Sequence, residues 1–250
     1  MQVPVKSRLD ELLVKRGFFA RRSRARDAIE RATVLVAGRT ATKAGAMVAQ
    51  DVEVKVDDAA SRYVARSALK LVAGLDHFGF DATDAIALDI GASTGGFTQV
   101  LLERGAARVH AIDVGHGQMH PSVAQDQRVR LREGLNARDL TSADLHGEAP
   151  DMIVCDVSFI TLKLALPPAL DLAAPGARGV FLVKPQFEAG RDAIGKGGLL
   201  KDPAEGPRIA AALGEWLASQ PGWRMLGVTA SPISGGDGNH EYLLGGVKDR

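Results

Sequence analysis

The chain has a single cysteine, Cys155, among 250 residues. A lone thiol forms no intramolecular disulfide, and no Cys/His cluster has zinc-ligand spacing. Set in an apolar run, Cys155 reads as a small buried hydrophobe, and no metal site is expected. Long hydrophobic runs are missing as well. None approaches the ~18–20 residues that a bilayer-spanning helix needs. The N-terminus opens on polar and charged residues, without the apolar stretch of a secretory signal. A long basic amphipathic helix with an aromatic face, the mark of a membrane-surface segment, is also absent. These gaps lead us to expect a cytoplasmic protein with no membrane partner.

A net charge of one sign is lacking too, since the total is only +1. The distribution is uneven, however. Residues 6–43 carry eleven Lys/Arg against four Asp/Glu, so the rest of the chain must be acidic by six. That asymmetry predicts a basic module joined to a near-neutral or acidic one. Hydrophobic residues make up 46%, which is ample for a core.

The first 6 residues read as a loose end. A helix is expected from Ser7, with Ser7 as cap and Asp10 completing a capping-box pattern, and Gly17 closing it. A second helix is expected from Ser23 to about Ala32, with Ala25, Ala28 and Ile29 inward and its arginines outward. Val34–Val36 reads as a strand. Val48–Val56, with Val52, Val54 and Val56 alternating, reads as another. Asp57–Arg66 is the expected linker, and 64–80 a helix. Strands then recur near 86–90, 109–113, 129–133, 152–156 and 179–184, with helices between. Residues 186–203, rich in glycine, read as a loop, and 205–218 as a helix. Two final strands, 225–229 and 241–247, suit an antiparallel pair at a sheet edge. Alternating strands and helices predict an α/β fold, a Rossmann-like, doubly wound and mostly parallel sheet, behind a small α+β module. The expected domains are 1–60 and 61–250.

Within the larger domain, Ile86-Ala-Leu-Asp89-Ile-Gly91-Ala92-Ser93-Thr-Gly95-Gly96 reads as a strand ending in a tight small-residue turn. The next strand ends in Asp113, 22 residues after Gly91. That is the distance at which a nucleotide-binding α/β unit offers a carboxylate to a ribose. The glycine spacing differs from the G-x-G-x-x-G of dinucleotide enzymes, which disfavours an NAD-dependent dehydrogenase. Asp89, just before the turn, can either stabilise the loop or bind a cofactor amine.

Two resemblances follow from these residues. Arg8-Leu9-Asp10, Arg21-Arg22-Ser23-Arg24-Ala25-Arg26 and Val34-Leu-Val-Ala-Gly38 resemble the alpha-L RNA-binding domain, first known from a small-subunit ribosomal protein. The resemblance implies that Arg8, Arg21, Arg22, Arg24, Arg26 and Arg39 face structured RNA, where guanidinium groups suit phosphates. Asp89 to Thr98 resembles the first motif of FtsJ-like methyltransferases. Lys70 in Ser67-Ala-Leu-Lys70, Asp156 in Val154-Cys-Asp156, Lys184 in Leu182-Val-Lys184-Pro and Glu241 in Asn239-His-Glu241 together resemble the Lys-Asp-Lys-Glu tetrad of ribose 2′-O-methyltransferases. The whole of residues 7–247 is similar to the TlyA family of ribosomal-RNA 2′-O-methyltransferases, whose members also carry the name haemolysin. Ser67-Ala68 and Gln99 depart slightly from that pattern, away from the tetrad.

The resemblance implies an S-adenosylmethionine-dependent enzyme acting on ribosomal RNA or ribosomal subunits, at cytidine. Gly91, Ala92, Ser93, Gly95 and Gly96 would line the methionine end with Asp89 nearby. Asp113 would meet the ribose, and Asn136 the adenine. Lys184 would be the base or the hydroxyl-orienting group. Its position is assigned; its protonation state is left open. Asp156 would orient it, and Lys70 and Glu241 would complete the network. His116, His120 and His240 read as loop or surface residues, and Met119 and Phe159 as core. A membrane-active haemolysin and a non-catalytic RNA-binding assembly factor are the competing classes. A monomer is expected, because the two modules already provide RNA affinity and chemistry.

Overall fold

The protein, seen as a computed structural model, is described over residues 5–249. Most of the expected loose end at residues 1–6 lies outside that range. The chain divides into two compact units, 1–63 and 64–250.

The first unit comprises β1 (Lys6–Arg8), α1 (Leu9–Lys15), α2 (Arg22–Glu30), β2 (Val34–Val36), β3 (Arg39–Thr40), β4 (Met47–Ala49) and β5 (Val54–Val56). β1 pairs antiparallel with β4, and β3-β2-β5 form a second small antiparallel sheet. Leu9, Leu13, Phe19, Ala25, Ala28, Ile29 and Val34 form the core. The proposed Ser7 cap is not made. Ser7 lies in β1, and Arg8 occupies the cap position without a side-chain bond. The exposed N–H groups of the first turn are met instead by backbone: Leu9 N donates to Ala46 O at 2.9 Å and Asp10 N to Ala44 O at 3.0 Å. A tertiary loop thus does what a capping side chain would do. Ser23 is not a cap either, since α2 already starts at Arg22. The single strand expected over 48–56 is two strands, β4 and β5, in different sheets. Much of the expected linker belongs to this unit. Asp57 N donates to Thr33 O at 3.0 Å. Asp58 caps a short 3-10 turn, Ala59–Arg62, and holds Arg31 at 2.7 Å.

The second unit runs α3 (Ala68–Phe78), β6 (Ile86–Ile90), α4 (Gly96–Glu103), β7 (Arg108–Asp113), α5 (Pro121–Ala124), β8 (Val129–Glu133), β9 (Met152–Cys155), α6 (Leu162–Ala165), α7 (Pro167–Leu172), β10 (Arg178–Val183), α8 (Pro185–Glu188), α9 (Glu205–Ala218), β11 (Trp223–Ala230) and β12 (Tyr242–Lys248). The expected helix 64–80 begins later, at Ala68. The expected loop 186–203 contains most of α8. The seven-stranded sheet has the order β11-β12-β10-β9-β6-β7-β8. From β10 to β8 all neighbours are parallel; β12 is antiparallel to both β10 and β11. The closing pair therefore forms one side of the sheet, with β11 outermost. The inner strands are apolar because helices cover the sheet. Leu88, Ile90, Ile153, Cys155, Phe181 and Val183 pack with Leu213 and Leu217 of α9.

The chain leaves β6 toward β7 and β8, then returns to add β9 and β10 on the other side of β6. β6 and β9 are therefore neighbours at a topological switch point, where ligands bind outside the carboxyl ends of the strands.

Lys248 closes the second unit. It is buried, and its Nζ donates to the carbonyls of Leu170 (2.8 Å), Asp171 (3.1 Å) and Ala173 (2.8 Å). It caps the end of α7, where unpaired carbonyls favour a cation. Lys248→Met keeps the stem but removes all three bonds. It is expected to cost about 2–4 kcal/mol, measurable as a lower urea midpoint at unchanged m-value.

Candidate active site and basic unit

β6 ends at Ile90, and the turn starts at Gly91 with φ +80°. A Cβ at Gly91 would lie 2.7 Å from the Asp156 carbonyl oxygen. Only glycine permits both the left-handed turn and this approach. The same position thus brings the turn after β6 against the segment after β9. Asp89 supports the turn from behind. It is fully buried, and Thr98 Oγ1 on α4 donates to its Oδ2 at 2.6 Å. Of the two roles open to Asp89, the structure shows the loop-stabilising contact; the side chain lines neither of the two cavities that adjoin the turn.

A cavity of about 750 Å³ opens at the ends of β6, β7 and β9, within the range of small-molecule sites. Ile90, Ile112 and Leu135 supply apolar wall, and Gly91, Ser93, Asp113, Asn136 and Asp156 supply polar groups. Asp113 accepts from Ser93 N and Gly115 N, both at 2.7 Å. It ties the small-residue turn to the loop after β7. Asn136 Oδ1 accepts from Arg138 N at 3.1 Å. A smaller cavity of about 150 Å³ shares Gly91, Ser93, Asp156 and Ser158 with the first and adds Ala92, Ser67 and Lys184. Gly95 and Gly96 line neither. A Cβ at Gly95 would press on Val123 and Met119, and one at Gly96 on Ala65 and Ser67. These two glycines allow close packing around the start of α4.

The tetrad residues come together from four elements. Lys70 of α3 and Glu241, just before β12, form a buried ion pair. Burial pushes the Glu241 carboxyl above its ordinary pKa, against the pull of Lys70 and, more weakly, Lys184; Asp156 adds to the rise. Lys184 Nζ lies 2.6 Å from Asp156 Oδ1. That close approach is a charge contact without hydrogen-bond alignment, since Asp156 Oδ1 has no aligned donor. The aligned hydrogen bond from Lys184 Nζ goes to Ser158 Oγ at 2.9 Å. The site is thus two ion pairs within each other's field, one buried and one beside the cavities.

Several participants escaped sequence reasoning. Gln118 lines the large cavity and accepts from Ser93 Oγ at 3.1 Å. Glu133 accepts from Gly117 N and Gln118 N, which fold the loop after β7 and lower the Glu133 pKa. Ser158 follows Asp156 by two residues, and only that proximity could have marked it. Phe159, expected in the core, is 89% exposed with φ +65° and lines the large cavity beside Phe187, ring centroids 5.0 Å apart. Its hydrophobicity suggested burial, but the tight turn after β9 throws the ring outward. Met119 is buried, and His116, His120 and His240 are exposed, as expected.

In the first unit, the arginines fall into two groups. Asp10 is fully buried and accepts from Arg8 Nε (3.1 Å), Arg22 (2.9 Å) and Arg26 Nε (3.0 Å). Burial pushes its pKa up, but the three guanidinium groups outweigh burial and hold the carboxyl well below the usual carboxylate range. Arg24 donates to the carbonyls of Ala60 (3.0 Å) and Tyr63 (2.6 Å). These four therefore also hold the unit together. Arg21 and Arg39 are exposed, and Arg39 flanks a shallow groove with Lys43.

A doubly wound sheet with a lysine–acid cluster beside a cavity at its switch point is the plan of a Rossmann-like methyltransferase. The chain belongs to the FtsJ-like methyltransferase family, which its residues 63–248 match, and its residues 7–54 match the S4 domain. It is 42% identical over 240 residues to the 16S/23S rRNA (cytidine-2′-O)-methyltransferase TlyA of Mycobacterium tuberculosis, covering 96% of this chain and 89% of that one. It is 37% identical over 237 residues to hemolysin A of Brachyspira hyodysenteriae, covering 94% and 98%. A solved structure of a candidate hemolysin from Streptococcus thermophilus superposes with a TM-score of 0.74 at 37% identity, covering 99% of this chain and 90% of that one.

Complete burial pushes the Asp89 pKa from its ordinary 3.8 up to about 7, with Thr98 opposing. Between those values the folded protein holds a proton that the unfolded chain has released. Stability therefore falls as pH rises from about 4 to about 7 and is flat above, a change of about 4 kcal/mol from this group. Asp89→Asn is expected to remove this slope, as read by urea unfolding between pH 5 and 8. An unchanged slope would mean that Asp89 is ionised in the folded protein.

Proposed function

We propose that the protein transfers a methyl group from S-adenosylmethionine to a ribose 2′-hydroxyl of ribosomal RNA, at a cytidine. The observation that carries this reading is the Lys184 Nζ, held by Asp156 and Ser158 where the two cavities adjoin. The names of the Mycobacterium tuberculosis and Campylobacter jejuni relatives support the substrate and the nucleotide. S-Adenosylmethionine supplies an electrophilic methyl group when bound. The lining suits it: apolar Ile90, Ile112 and Leu135 for the nucleoside, Asp113 and Asn136 for its polar edges, and the Gly91–Ser93 turn for the amino-acid end.

The residues then have separate tasks. The ribose hydroxyl is weakly acidic and must be placed in line with the methyl carbon. Lys184 orients it and receives or relays its proton. Asp156 and Ser158 fix the direction of the Lys184 Nζ. Lys70 and Glu241 set the field around that pair. Holding reactants aligned can lower a barrier by roughly 7–11 kcal/mol, so position matters more here than strong basicity. Phe159 offers an exposed ring at the cavity mouth, a surface on which an unstacked base can rest. The first unit supplies RNA affinity through exposed arginines. A cytoplasmic monomer fits this division of labour. The hemolysin reading, suggested by the names of two relatives, has less support: among the described residues no helix is long and apolar enough to cross a membrane.

Tritium transfer from labelled S-adenosylmethionine to ribosomal subunits of an unmodified strain, with nucleotide mapping, tests the reading. Wild-type protein is expected to label a cytidine 2′-oxygen. Lys184→Ala is expected to lose about 100-fold or more in rate with cofactor affinity within about 3-fold. Near-wild-type turnover would remove Lys184 from the mechanism. For the basic unit, Arg21→Ala with Arg39→Ala is expected to reduce the slope of log K against log[salt] by about 2. Fold should be kept, because neither residue holds the Asp10 cluster. An unchanged slope would place the RNA on another face.

A further inference from the structure

Helix α8 starts directly after Lys184 and ends at Glu188, one turn on. This short segment touches both ends of the loop 156–162. At the first end Lys184 meets Asp156 and Ser158. At the other, Glu188 Oε2 accepts from the Thr161 hydroxyl at 2.5 Å and Oε1 from the Leu162 N–H at 2.9 Å. Thr161 is the cap of α6, and Leu162 is its first residue. Between the two grips Phe159 sits at φ +65° with its ring in solvent. A non-glycine residue in that conformation is strained and persists only where its surroundings hold it. The ring, largely exposed, has its aromatic contact with Phe187 of α8. The bonds at the two ends of the loop add to that hold.

Glu188 is half-buried. Burial pushes its pKa up, opposed by the donors Thr161 and Leu162. It stands beyond the tetrad and makes no ion pair among the described residues; both of its oxygens are spent on the loop. We propose that Glu188 is a positioning residue for methyl transfer, gripping Thr161 and Leu162 so that loop 156–162 keeps Asp156 and Ser158 against the Lys184 Nζ. Its catalytic consequence rests on the methyltransferase reading above; its grip on the loop does not.

Hydrogen-bond chemistry separates the grip from the charge. In Glu188→Gln the amide oxygen still accepts from Leu162, and the amide nitrogen donates to a Thr161 hydroxyl that turns round. Both links survive without the charge. Glu188→Ala loses both, and Thr161→Val loses one, together with the Thr161 cap on Lys163 N, while keeping the shape. Two measurements are made on the full-length chain. The first is amide hydrogen exchange over peptides spanning 156–162, which needs no RNA. The second is the single-turnover methyl-transfer rate at saturating cofactor and ribosomal subunit, with the Kd of each measured separately.

Glu188→Ala is expected to speed exchange over 156–162 at least 10-fold and to slow transfer at least 10-fold, with both Kd values within about 3-fold. Glu188→Gln should restore both to within about 3-fold of wild type, and Thr161→Val should fall between. Unchanged exchange in a folded Glu188→Ala protein would overturn the grip. Faster exchange with an unchanged transfer rate would overturn the positioning role. Equal impairment of the Gln and Ala variants would also overturn it, since charge would then be the active feature. If Glu188→Ala does not fold, the Gln and Val variants decide by the same two readings. Wild-type protein that labels no ribosomal RNA would defeat the functional reading instead, while the exchange result still judges the grip.

Discussion

The approach of Gly91 to the Asp156 backbone is the constraint on which the site depends. β6 and β9 run side by side, Ala87 opposite Met152 through Ile90 opposite Cys155. Beyond that register their chains must part, one into the small-residue turn and one into the loop carrying the acid. Because Gly91 has no side chain, the two can part at van der Waals distance rather than several ångströms apart. Asp156 is thereby placed beside the turn that bounds the large cavity. The other contacts elaborate this placement: Thr98 on Asp89 from behind, Asp113 on Ser93 from one side, Lys184 on Asp156 from the other.

Charge is handled differently at three depths. Asp10, fully buried in the first unit, is compensated by three arginines, so its burial costs little and its carboxyl remains ionised. Asp89 is equally buried but has only the uncharged donors of Thr98 beside it, and there the protonated form gains ground. Glu241 lies between, with Lys70 opposing the burial that raises it. One cation within hydrogen-bond reach leaves desolvation ahead at Glu241, whereas three overcome it at Asp10. By the same logic Lys184, near the surface of the cavities, can keep a partner acid and still meet a substrate.

Arginine in the basic unit serves two ends. The sequence shows a run of guanidinium groups and leaves open which of them are committed. Asp10 collects three, and the carbonyls of Ala60 and Tyr63 take Arg24. An internal network of this kind stiffens a module with a small core, and the exposed arginines at positions 21 and 39 then project from a firm base. In the second unit, Lys248 repeats the device with carbonyls in place of a carboxylate.

Periodicity and punctuation sufficed to read the order of the strands in the larger unit, the α/β class, the turn at 91–96 and the helix 205–218, because hydrophobic spacing and glycine act locally. The four tetrad residues were legible only through resemblance, since no local rule joins Lys70 to Glu241 across 171 positions. What remained illegible was set by contacts between distant segments. Ser7 and Ser23 have the chemistry of caps, yet the loop at 44–46 had already satisfied the first helix and Arg22 had begun the second. Phe159 has the composition of a core residue, yet the turn after β9 turns it outward. Gly95 and Gly96 look like cofactor glycines, and their closest neighbours, Val123, Met119, Ala65 and Ser67, come from other segments. Sequence by itself determined which segments are apolar, where the chain turns and which chemical groups are available. Tertiary structure alone decided which hydrogen-bond donors were already spoken for, which charges were compensated and which side chains faced the cavity. Each of those outcomes depends on partners brought close by folding rather than by adjacency in the chain.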